Sequence, residues 1–121
     1  MKSRNIKTHK MRLQADYFNE MCGTKKSEFR LYDEKRKEVN LGDFIEFGAV
    51  NPERCDNKEV RRVVGIQIAK NFQELTENIA GKWLMGQDRA ELAIELSDIY
   101  GLRLTEQWAV GGAVAFLLEA V

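Results

Sequence analysis

Residues 23–47 read Gly23-Thr-Lys-Lys-Ser-Glu-Phe-Arg-Leu-Tyr-Asp-Glu-Lys-Arg-Lys-Glu-Val-Asn-Leu-Gly-Asp-Phe-Ile-Glu-Phe47. The glycine ends one element, and Ser27 to Tyr32 then reads as a short strand. Lys and Glu are depleted in strand interiors, so charges inside a strand call for an account. Side chains alternate across a strand, which puts Glu28 and Arg30 on one face and Phe29 and Leu31 on the other. The apolar face belongs to a core. The charged face is either a wetted sheet surface or the floor of a charged pocket. A charged turn at Asp33 to Lys37 follows. Val39 and Leu41 suggest another short strand, and Gly42-Asp43 leads into a further one from Phe44 to Phe47.

Upstream, Leu13, Tyr17, Phe18, Met21 and Cys22 recur at helical spacing, which predicts an amphipathic helix over 13–22. Asp16 near its start suits the helix dipole. Gly23 stands where a helix-ending glycine belongs, and Cys22 falls on the apolar face. His9 to Leu13 predicts a first strand, and residues 1–8 a basic tail. Downstream, residues 51–58 form a polar loop with the only proline. Glu59 to Ala69 predicts a long strand, and Arg61-Arg62 beside Val63-Val64 breaks its alternation, as a bulge does. Phe72, Leu75 and Ile79 suggest a helix over 71–79, and Gly81 to Gln87 a loop. Asp88 caps a further helix with Glu91 three residues on. Its buried stripe is Leu92, Leu96, Ile99 and Tyr100, and Gly101 ends it. The apolar run 111–121 closes the chain as a buried strand.

The chain has 121 residues, 44% of them hydrophobic, and 19 basic residues balance 19 acidic ones. This is the size and composition of one folded domain over 9–121 behind the 1–8 tail, and it fits a cytoplasmic protein. The charge balance names no polyanion partner, but a local patch is compatible with it. Two cysteines and one histidine, without Cys-x-x-Cys or His-x-x-x-His, make no metal set, and the sequence asks for no cofactor. No apolar run reaches eighteen residues, so no membrane span is expected. Oligomeric state leaves no mark in the sequence. Short strands with few helices predict a mainly β, α+β fold, a small β-barrel with helices packed at its openings.

The Gly23-Thr-Lys-Lys motif, the Glu28-Phe-Arg-Leu-Tyr-Asp-Glu-Lys-Arg36 run, Val39-Asn-Leu-Gly-Asp-Phe-Ile-Glu-Phe47 and the helix ending Asp98-Ile-Tyr100-Gly together resemble an ASCH domain of the PUA-like superfamily. The resemblance spans residues 7–121. It implies a β-barrel whose cleft binds RNA, a modified nucleoside or a nucleotide. One branch of the family removes the acetyl group of N4-acetylcytidine with a threonine, a lysine and a glutamate. By position these are Glu28 (where that branch has its threonine), Lys25 and Glu91. Ser27 lies next door on the opposite strand face, and Thr24 would serve only in a shifted register.

The site expected from these readings combines Lys25, Glu28 and Glu91 as the catalytic set with Lys26, Arg30, Tyr32, Arg36 and Trp83 as ligand-binding residues. Arginine and lysine would hold phosphates or a base edge, and an aromatic ring would stack on a base. Trp108 is a further aromatic in or near a loop. Each residue also has a plain structural role open to it: Glu91 as a capping partner, Glu28 and Arg30 as a surface pair, Trp83 as a rim packer. Binding ranks ahead of hydrolysis, since the charged cluster serves it directly, and RNA binding of this kind should weaken with salt.

Overall fold

The computed structural model describes residues 5–23, 25–49 and 58–121. Its elements in chain order are β1 (Thr8–Leu13), α1 (Ala15–Cys22), β2 (Ser27–Leu31), α2 (Glu34–Lys37), β3 (Phe44–Ala49) and β4 (Glu59–Ala69). There follow α3 (Phe72–Asn78), a 3-10 turn (Gly81–Trp83), α4 (Arg89–Tyr100), α5 (Leu104–Ala109) and β5 (Ala113–Ala120). The five strands form one mixed sheet in the order β1-β3-β4-β5-β2. Only β1–β3 is parallel. The sheet curls into a half-barrel flanked by helices, so the expected α+β barrel-like class holds.

Two cores sit on the two faces of this sheet. One fills the hollow under α1: Phe18 and Met21 meet Met11, Ile45, Phe47, Val63, Val114, Phe116 and Leu118. The other lies beneath α3 and α4: Phe72, Leu75, Ile79, Leu92 and Leu96 meet Phe29, Ala113 and Ala115. β5 is buried on both faces because its odd and even residues serve different cores. Small Ala113 and Ala115 let the helices approach where Val114 and Phe116 fill the hollow opposite. The break expected in β4 is a register shift between Val63 and Gly65. Gly65 lies against Leu117, where an added Cβ would come within 2.8 Å of its Cδ1.

Several local expectations change. The charged turn is a one-turn helix, α2, whose Asp33 cap accepts the Arg36 backbone N–H. Val39 to Leu41 is no strand: Val39 is a buried plug and Leu41 is exposed. Gly23 ends α1 at φ −94°, so no left-handed cap is involved, and Cys22 is exposed rather than on the apolar face. Gly101, by contrast, has φ +66° and closes α4 as a left-handed cap. Ile99 leaves the buried stripe of α4 and is half exposed, while Ala93 joins it. Leu84, from the expected 81–87 loop, is buried after the 3-10 turn. The proline loop, Cys55 and Thr24 lie outside the described residues, as do residues 1–4 of the basic tail.

α5 was not foreseen. Its buried residue is Gln107, which bonds in three directions. The side-chain oxygen accepts from the Phe72 backbone N–H at 2.9 Å, and the amide donates to Ser97 Oγ and to the Leu102 carbonyl, each at 2.9 Å. One fully buried amide thus ties α5 to α3 and α4. After it, Gly111 and Gly112 turn the chain into β5 with φ of +119° and +92°. A Cβ on Gly112 would sit 2.5 Å from the Ala69 carbonyl oxygen, whereas at Gly86, φ +81°, it would meet nothing within 4 Å. Both positions disfavour a side chain on backbone grounds, by about 1–2 kcal/mol. Gly112→Ala adds a collision with backbone, so it should lose at least about 2 kcal/mol more than Gly86→Ala in urea unfolding. Equal losses would mean that the turn yields without cost.

Candidate functional site

A half-barrel has a seam, and here it runs between the outer strands β1 and β2. The free edge of β2 faces a cleft of about 220 Å³ walled by α1 on one side and α4 on the other. Strand alternation turns Glu28 and Arg30 to the concave side at this edge, opposite Phe116 and Val114 of β5. Ser27 points the other way and its hydroxyl donates to the Trp83 carbonyl at 2.7 Å.

Glu28 is 4% exposed. A carboxylate held that far from water needs charged or hydrogen-bonding partners. It has two. Lys25 Nζ lies 3.3 Å from Oε1, and Arg30 donates through Nε at 3.0 Å and Nη2 at 2.9 Å to Oε2. The same Arg30 Nη2 donates to the Arg12 carbonyl at 2.8 Å, so one guanidinium spans the seam from β2 to β1. Lys25 Nζ also stands 5.0 Å from the centre of the Tyr17 ring, a cation–π contact.

Across the mouth, the Tyr17 hydroxyl of α1 donates to Glu95 Oε1 of α4 in a short hydrogen bond. Burial, then the Glu95 carboxylate, raises the Tyr17 phenol above its ordinary 10.0. Tyr100 closes the inner end, stacked on Phe72 with centroids 5.4 Å apart. Burial raises its phenol too, and the nearby Arg30 charge works against that rise. The charges lining the cleft balance: Arg12, Lys25 and Arg30 against Glu20, Glu28 and Glu95. Leu92, Leu96 and Ile99 supply an apolar floor.

Of the residues expected from the sequence, the cleft gathers Lys25, Glu28 and Arg30. It leaves out the others. Lys26 is exposed. Tyr32 packs against the inner core with Lys37 Nζ 5.6 Å from its ring centre. Arg36 bonds Asp33 at 3.2 Å. Trp83 packs against the helix-side core under Lys82, at 4.8 Å. Glu91 is exposed in the first turn of α4, its backbone N–H bonded to the Asp88 cap at 2.9 Å. The carboxylate that α4 sends into the cleft is Glu95, one turn later. Arg12, Tyr17, Glu20, Glu95 and Tyr100 are among the lining residues that the sequence did not mark as site residues.

A larger hollow, of about 550 Å³, lies between α3 and α4 beside Ala93, Ile94 and Leu104. Its one arginine, Arg89, gives its guanidinium to the carbonyls of Thr76 and Ile79 at 2.7 and 2.6 Å. Its charge is thus tied to backbone, and the seam cleft, where Lys25, Glu28 and Arg30 meet beside two aromatic rings, is the stronger candidate. Among the described residues no group of His, Cys, Asp and Glu could hold a metal ion, and no helix is long and apolar enough to cross a membrane.

Two outcomes follow from this geometry. Glu28→Gln keeps the shape but leaves Lys25 and Arg30 without a counter-charge, and should cost about 2–3 kcal/mol in urea unfolding. A change below about 0.5 kcal/mol would mean that the carboxylate does not hold the cluster. The Tyr17 bond needs a neutral phenol. Its stabilisation is complete below pH 10.0 and lost only as pH rises through the raised native value. Up to about pH 11, then, Tyr17→Phe should leave the phenolate absorbance of the native protein unchanged. Loss of one phenolate equivalent near pH 10 would show that the bond to Glu95 does not hold the proton.

Solved structures share this architecture. The hypothetical protein PH0355, known from a crystal structure, is similar with a TM-score of 0.71 and 29% identity, over 96% of this chain and all of that one. Protein PF0455 from Pyrococcus furiosus, solved by NMR, is similar with a TM-score of 0.60 and 28% identity, over 93% of this chain and 96% of that one. No family model and no curated protein matches the chain. The small curled sheet flanked by helices matches the general PUA-like and ASCH type of fold.

Proposed function

We propose that the chain is an ASCH-type binding module whose seam cleft takes one nucleoside unit, free or within an RNA. The observation that carries this reading is the joining of Lys25, Glu28 and Arg30 in one cluster beside the rings of Tyr17 and Tyr100. Aromatic walls suit a flat heterocycle, and fixed donors and acceptors suit its edge. The balanced lining argues for a neutral base rather than a phosphate chain. Both strong cations already face Glu28, so a second anion there gains less than it would from free cations.

Hydrolysis of an acylated nucleoside such as N4-acetylcytidine is less well supported. Of its expected set, Lys25 and Glu28 are adjacent and Glu91 stands outside. Among the described lining residues the hydroxyls are the phenols of Tyr17 and Tyr100, which are poorer matches for a threonine nucleophile. Glu95 offers the carboxylate that Glu91 does not.

The experiment is a calorimetric titration with cytidine, N4-acetylcytidine and other modified nucleosides, with products followed by mass. Binding should change less than about three-fold between low and moderate salt, because the cleft is electrically balanced. Arg30→Ala and Lys25→Ala should each weaken it by about ten-fold or more. Absence of binding by every nucleoside, or binding by both variants as tight as the parent's, would overturn the assignment. Release of acetate lost in Lys25→Ala would move the hydrolytic reading to the front.

A further inference from the structure

A second set of aromatic and basic side chains lies outside the cleft, around the Gly111–Gly112 turn. Lys37 Nζ stands 5.6 Å from the Tyr32 ring centre and Lys70 Nζ 5.6 Å from that of Trp108. The turn holds the two pairs together. The Tyr32 N–H donates to the Gly112 carbonyl at 2.9 Å, and the Gly111 N–H to the Trp108 carbonyl at 3.1 Å. A Cβ on Gly111 would lie 2.5 Å from the Tyr32 carbonyl oxygen and 3.9 Å from Lys37 Nζ; one on Gly112 would lie 3.6 Å from the Lys70 carbonyl oxygen. Only glycines let these segments pack so closely, and the result is two cation–aromatic pairs on adjoining surface.

This surface connects to the cleft. Tyr32 follows two residues after the cleft's Arg30: Arg30 pairs with Val114, and the Tyr32 N–H bonds Gly112, so the end of β2 leads from the cleft to the turn. Arg36 is on the same short helix as Lys37. Its Nε is buried with no hydrogen-bond partner. Trp108 is 58% exposed, far more than an aromatic packed for stability alone. Lys37 pairs with Glu34 at 3.3 Å and Arg36 with Asp33 at 3.2 Å, whereas Lys35 and Lys70 are exposed and no carboxylate of the described residues pairs with either. The cleft itself is electrically balanced, whereas Lys35 and Lys70 are not offset.

Resting on the nucleoside reading of the cleft, we propose that a single-stranded polynucleotide runs out of it over Arg36 and the Lys37–Tyr32 pair to Lys70 and Trp108. The cleft holds one base, the lysines meet the phosphates that follow, and Trp108 stacks on a later base. Stacking on an exposed ring needs an unpaired base, so the surface selects single strands over duplexes. Every base has a flat face, so this portion tolerates any sequence.

The test is fluorescence anisotropy with end-labelled, mixed-sequence RNA and DNA single strands of about ten nucleotides, within the range such grooves hold. Nucleoside titrations of the same proteins run beside it. Trp108→Ala should bind the strands roughly ten-fold more weakly and the nucleoside as the parent does. Lys70→Glu with Lys37→Glu should flatten the dependence of log affinity on log salt by about one unit or more. Thermal melting shows whether these surface variants remain folded. If strands bind Trp108→Ala and the lysine variant as tightly as the parent, or do not bind the parent, the track is overturned. If Arg30→Ala still loses the nucleoside in that case, the cleft reading stands without it. If Arg30→Ala keeps the nucleoside while Trp108→Ala loses the strand, the cleft is not the start of the path and the proposal fails in that form.

Discussion

A carboxylate at 4% exposure is the constraint on which the seam depends. Glu28 sits at the edge of an unclosed sheet, where a fully closed barrel would place another strand. Edge strands that stay open invite pairing with other chains. Here charge does the closing. Glu28 fixes Arg30, Arg30 reaches the Arg12 carbonyl, and Lys25 fills the remaining carboxylate oxygen. The cleft exists because this cluster replaces strand-to-strand hydrogen bonds with side chains, and side chains leave room between them. An apolar replacement would pack better and leave no polar groups to meet a ligand.

The helices set the shape around that cluster. α1 is anchored from below by Phe18 and Met21, so Tyr17 is delivered to the rim on its partly exposed side. α4 is anchored by Leu92 and Leu96 in the other core, so Glu95 faces Tyr17 from across the mouth. Each wall therefore belongs to a different core, and the Tyr17–Glu95 bond is a direct polar tie between them. The apolar floor and polar rim follow from the same placement.

The sequence made the sheet legible where its pattern was local. β4 could be read from Val64, Ile66 and Ile68 alternating with Gly65, Gln67 and Ala69, although Val64 and Ile68 lie exposed, and α4 from Asp88 with Glu91 and from Gly101. It concealed what depends on distant partners. α5 has no apolar stripe: Leu104 and Trp108 are exposed and its anchor is Gln107, so helical periodicity had nothing to detect. Val39 and Leu41 imitate a strand because they flank polar Asn40 in an apolar–polar–apolar order, although only Val39 is buried. At the site, Lys25, Glu28 and Arg30 were legible because the three charges lie close in sequence, two of them on one face of β2. Glu95 and Tyr17 were not, since 78 residues separate them and only the fold brings them together. Glu91 stood out by its spacing from Asp88, but that spacing belongs to a helix cap.

The position of β5 has a consequence for how the protein comes into being. It follows the other four strands in the chain, it lies between β4 and β2, and it contributes to both cores. β2 pairs with no other strand in the sheet, and Ser27 meets Leu117 across most of the chain. A nascent chain halted before Ala113 therefore carries β2 without a ladder and Glu28 without its burial. Contacts so distant in sequence form late and slowly. The cleft therefore forms only once β5 has been made, and a growing chain on the ribosome has no formed pocket until then.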